Sequence, residues 1–84
     1  MDKETAVVIF NATKRNIFVD LEIPLFISAN DLVIALNEAF DLKIDTSDIK
    51  NCYLKSERPI ALLKGNKTLL DFGIRNGSVI YYTE

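Results

Sequence analysis

With 84 residues, 49% of them hydrophobic, the chain has material for one packed core and too little for two domains. The net charge is −2 and the ten basic residues are scattered, Lys14-Arg15 being the only adjacent pair, which excludes the basic stripe of a nucleic-acid-binding protein. The single cysteine, Cys52, can form no internal disulfide, the first residues lack the pattern of a signal peptide, and no apolar run nears the about 20 residues that cross a bilayer. A soluble cytoplasmic protein, one domain over residues 1–84, is the expectation.

Residues 5–11 (TAVVIFN) are β-branched and aromatic. After ATKRN, residues 17–23 (IFVDLEI) alternate Val19, Leu21 and Ile23 with Asp20 and Glu22, which predicts a hairpin with one buried face. Pro24 cannot donate a ladder hydrogen bond and ends the second strand. Ser28 is placed as a helix N-cap, Asp31 completes an approximate capping box, and Ile27 can staple onto Leu32. The helix is expected over residues 29–42. Leu32, Val33, Leu36, Ala39 and Phe40 form its inner stripe, Asn30, Asn37, Glu38 and Asp41 its outer side, and Ile34 points out among the polar residues.

A polar connection (Asp45 to Asp48) precedes a third strand near NCYLKS, residues 51–56, and a small fourth strand near IALLK, residues 60–64. Gly65-Asn66 makes a turn, TLLDFGI reads as a folded turn plugging one end of the core, and Asn76-Gly77 leads into a last strand over residues 78–83. One helix crossing a mixed sheet of four to five strands in this order is an α+β fold of the β-grasp arrangement.

At this point DLEIPLFISANDL, with its amphipathic helix, and TLLDFGIRNGSVI resemble the second strand, helix entry and closing turn of ubiquitin. The Leu-x-Ile-Pro step and the Leu-x-Asp-x-Gly-Ile-x-x-Gly run most resemble the YukD/EsaB family, the small ubiquitin-like cytosolic components of type VII (WXG100, Ess/Esx) secretion systems. The resemblance runs from about Ala6 to Tyr82, and its glycine spacing is as much a β-grasp packing feature as a family mark. It implies a ubiquitin fold without ubiquitin's chemistry and a role in secreting small helical-hairpin substrates. The extra residues Met1 to Thr5 are the one departure.

The residues support no catalytic role and no cofactor. A conjugated modifier or sulfur carrier needs a flexible tail ending in Gly-Gly, and the sequence has no glycine after Gly77, so that alternative is disfavoured. There is no histidine to act as a base, and Cys52 has only Lys50 and Lys55 in its vicinity, so it reads as a small half-buried apolar residue. Asp41, Asp45 and Asp48 lack a supporting His or Cys cluster, so no metal is expected and these acids read as solvation of a helix end and loop.

What remains is the surface. With Val7 and Ile9 assigned inward, Val8 and Phe10 point out. With Val19 and Leu21 inward, Phe18 points out, and with Val79 and Tyr81 closing the core, Ile80 and Tyr82 face water. Phe10, Phe18, Ile80 and Tyr82, together with Tyr53 and, on the helix, Ile34, are thus the candidate protein-interaction residues. The opposite parity of the first strand, with Phe10 in the core, is the competing reading. The partner implied is a protein, a membrane component or ATPase of the secretion machine, met at the cytoplasmic side of the membrane without insertion. No nucleic acid and no small-molecule substrate is implied, and a β-grasp scaffold in an unrelated complex is the further alternative.

Overall fold

The structure, a computed structural model, describes residues 4–83. In chain order the elements are β1 (Thr5–Ala12), β2 (Ile17–Pro24), α1 (Ala29–Phe40), β3 (Leu54–Glu57), β4 (Ala61–Leu63), α2 (Leu69–Phe72) and β5 (Val79–Tyr81). The five strands form one sheet in the order β2-β1-β5-β3-β4, antiparallel at every step except β1 beside β5. First and last strands are therefore neighbours at its centre, and the helix covers one face, as the β-grasp reading expects.

Local chemistry explains the boundaries. The β1–β2 connection is a short 3₁₀ turn, Thr13–Arg15, closed by Asn16 in the left-handed region (φ 57°), a conformation asparagine tolerates better than most residues. Ser28 Oγ accepts the Asp31 N–H at 3.1 Å, so the expected cap is formed. The helix stops at Phe40, two residues before the expected end, because Asp41 turns left-handed (φ 53°) and its N–H bonds back to the Asn37 carbonyl. Leu42 then folds into the core, and its carbonyl accepts Arg15 Nη2 at 2.7 Å.

The third strand begins at Leu54 instead of residue 51, because Thr46–Asn51 coils into a 3₁₀ segment capped by Asp45. The folded turn expected at residues 68–74 contains the helical turn α2. Thr68 Oγ1 accepts the Asp71 N–H at 3.1 Å, and Gly73 (φ 87°) ends the turn so that the Ile74 N–H reaches the Leu69 carbonyl. β4 and β5 are each three residues long, shorter than expected.

The second half of the chain grips the entry to α1. The N–H groups of Leu69 and Leu70 donate to the carbonyls of Ile27 and Leu25, and Ala29 and Asn30 donate to Lys67 and Gly65. Asn30 Oδ1 also accepts the Gly65 N–H at 3.1 Å. Ser56 and Ser78 are the buried polar residues among those described, and both hydroxyls donate to carbonyls of the β3–β4 turn, Ser56 to Pro59 and Ser78 to Arg58. Burying a hydroxyl is tolerable only when it is satisfied in this way.

The strand faces require a correction. Ala6, Val8, Phe10 and Ala12 face the helix, and Val7, expected inside, is exposed. Phe10 is 0% exposed, with its ring centroid 5.2 Å from that of Phe40. Ile80, expected outside, is 1% exposed, and Tyr82 packs half-buried against the core. Directly paired residues share a face. Since Ala6, Val8 and Phe10 pair with Ile23, Leu21 and Val19, the inward side of β2 forces that side of β1 inward as well. Phe10 pairs in turn with Ile80, which carries the same parity into β5. Tyr81, assigned to the core, accordingly stands on the open face, while Val79 on that face is buried by its neighbours. Val19 lies on the helix side yet stays partly exposed at the sheet's edge, and Ala39, expected in the helix's inner stripe, is exposed.

Candidate interaction surface

The register aligns the open face in rows. One row runs across all five strands: Phe18, Asn11, Tyr81, Lys55 and Leu62. A second carries Asp20, Ile9, Val79 and Glu57. At the β4 end Ile60, 90% exposed, joins Leu62 and Tyr81 around a shallow apolar groove whose charged lining is Lys55 and Glu57. Tyr53, just before β3, is exposed, and at the opposite edge Phe18 is 71% exposed.

Of the six residues singled out in the sequence, Phe18 is exposed from the sheet, Tyr53 from the segment just before β3, and Ile34 from the helix on the sheet's other side. Phe10 and Ile80 are core, and Tyr82 is partly so. Ile60, Leu62 and Tyr81 were missed. The first two sit in an apolar run, IALLK, whose parity the sequence leaves unmarked, and Tyr81 was lost with the reversed parity of β5.

The titrating groups have identifiable environments. A hydrogen bond to Glu57, then partial burial and the charge of the same carboxylate, hold the Tyr81 phenol above its ordinary value, with Arg58 opposing. Burial, then the Asp48 and Asp45 carboxylates, push the Cys52 thiol up, so it stays protonated and is a poor nucleophile. Cys52 Sγ instead donates to the Asp45 and Asp48 carbonyls at 3.4 and 3.5 Å. Asp45 is lowered by the hydroxyl and N–H of Ser47, and Asp41 pairs with Lys43 at 3.3 Å. Among the described residues no three or more His, Cys, Asp or Glu side chains gather as metal ligands, and no helix is long and apolar enough to cross a membrane.

This sheet order, with one main helix on one face and an apolar open face, defines a ubiquitin-like β-grasp protein. The C-terminal ubiquitin-like domain of mouse tubulin-specific chaperone e shares it (TM-score 0.76, 12% identity, 99% of this chain and 89% of that one). So does a ubiquitin-like domain of tubulin-binding cofactor B (TM-score 0.75, 19% identity, 99% and 92%). The ubiquitin-like domain of the Mycobacterium tuberculosis type VII secretion system protein ECCD1 is similar over 96% of this chain and 99% of that one (TM-score 0.55, 20% identity). At such identities these likenesses establish the fold. Residues 6–81 match the family described as WXG100 protein secretion system (Wss), protein YukD, and the chain belongs to that family. It is thus a ubiquitin-like component of a type VII secretion system. No curated protein matches the chain.

Proposed function

We propose that the chain is a non-enzymatic adaptor that acts by non-covalent docking on the cytoplasmic side of the secretion machine, binding its membrane component or its ATPase. The observation that carries this reading is the apolar cluster of Ile60, Leu62 and Tyr81 at the β4 end of the open face. Exposed apolar groups gathered in this way mark protein interfaces. The ECCD1 domain supports the setting, since there a domain of this fold is part of a protein of the type VII system.

Each of these side chains, fully buried at an interface, would contribute roughly 1.5–3 kcal/mol, so three or four sustain micromolar association after the entropic cost of binding. Affinity-tagged protein purified from its own cells should bring down a secretion-system component. Leu62→Ser or Ile60→Ser should abolish that recovery while leaving the thermal midpoint within a few degrees of wild type, as expected of surface sites. Undiminished recovery with both variants would remove the open face from the mechanism.

A further inference from the structure

The sheet has two edges of unequal length. β4 offers three residues, whereas β2 offers eight, and among the described residues no strand pairs with the outer side of β2. The hydrogen bonds fix which groups that side presents. On β1 the N–H groups of Val7 and Ile9 point toward β5, donating to Asn76 Oδ1 and the Ser78 carbonyl, so Ala6, Val8, Phe10 and Ala12 carry the ladder to β2. The N–H and C=O groups of Phe18, Asp20 and Glu22 therefore line the outer edge.

Beside this edge an apolar groove runs between β2 and α1, with Leu21, Ile23, Leu32 and Leu36 in its floor. Ala35 and Ala39, both exposed, form its helical wall, and their small side chains leave it open. Its charged lining residues are acidic, Glu22 and Asp31, and no Lys or Arg lines it.

We infer that β2 and this groove take up an extended segment of a partner protein as a sixth strand, a segment in which apolar residues alternate with lysine or arginine. An added strand satisfies the outward backbone groups, and its alternate side chains fall into the groove. Those in between stand on the open face next to Asp20 and Glu22, where opposite charge is the favourable cross-strand neighbour. Pro24 has no N–H to offer, so the ladder ends there and the segment is about five to seven residues long. Charge also selects against a second copy of this chain, since pairing β2 with β2 brings Asp20 and Glu22 against their own duplicates.

The inference does not depend on the β3–β4–β5 surface, and its test separates the two. Isotope-labelled protein is titrated with the capped peptide Lys-Val-Lys-Ile-Lys-Val-Lys and followed by NMR. Saturable shifts centred on residues 17–24 and on the groove-lining positions 27, 31, 32 and 35–40, with slowed hydrogen exchange at the amides of Phe18, Asp20 and Glu22, are expected. Replacing every lysine of the peptide by glutamate, or its central residues by Pro-Pro, should weaken binding about tenfold or more. Ala35→Phe, which fills the groove, and Asp20→Lys with Glu22→Lys should do the same, while Leu62→Ser should bind the peptide as wild type does. Absence of saturable binding, equal binding of the glutamate peptide, shifts centred elsewhere, or self-association through β2 in sedimentation would overturn the inference.

Discussion

Tyr81 and Ser78 lie close together in the chain and carry hydroxyl groups in opposite circumstances. The Tyr81 phenol is solvent-accessible and is held protonated chiefly by its hydrogen bond to Glu57. Because its folded pKa is raised, this interaction is complete below the ordinary tyrosine pKa of about 10 and is lost as pH rises through the higher folded value. Glu57→Gln should therefore bring the Tyr81 titration down, read as phenolate absorbance and identified by its disappearance in Tyr81→Phe. The stability gap between wild type and Glu57→Gln should narrow as the solution is made more alkaline. The Ser78 hydroxyl is buried and bonded twice, donating to the Arg58 carbonyl and accepting the Arg75 N–H at 3.0 Å. Ser78→Ala leaves both without their partner, and urea denaturation should show a loss of about 1–3 kcal/mol.

Among the elements, β1 decides the face of everything beside it. Phe10→Ala empties a site against Phe40 and should cost about 3–5 kcal/mol, a large part of a small domain's stability, whereas Phe18→Ser should be nearly neutral. Equal effects of the two on the urea midpoint would contradict the observed parity. The main elements were legible in the sequence because each has its own chemistry: the Ser28 cap, the alternation of β2, the break at Pro24. The parity of β1 was not, since TAVVIFNA is apolar at both parities and only its register against β2 distinguishes them. The missing step was to pair the polar residues Asp20 and Glu22 across the hairpin, which puts Ile9 and Val7 outside. The candidate surface inherited the same error through β5, and of its strand residues only Phe18 stands exposed, with Tyr53 exposed just before β3. The groove beside β2 was invisible for a different reason: it is made by what Ala35 and Ala39 lack.

At the scale of the molecule, the two surfaces lie at opposite edges of one sheet. Leu62 and Phe18 occupy the ends of a row that crosses five strands, which at about 4.8 Å per strand places them about 19 Å apart. Between them the row passes through Asn11, Tyr81 and Lys55, on strands whose other face is packed around Phe10, Ile80 and Leu54. A sheet braced in this way transmits little, and sites so far apart with no shared partner act independently, to within about 0.5 kcal/mol. A chain carrying both Leu62→Ser and Ala35→Phe should therefore lose recovery of the secretion component as fully as the first variant alone and lose the basic peptide as fully as the second alone. Wild-type protein held on its secretion partner should bind the peptide with unchanged affinity, measured by fluorescence anisotropy. Competition between partner and peptide would mean that one ligand spans the whole open face, and Phe18, next to the β2 edge in the shared row, would be the residue to mutate next.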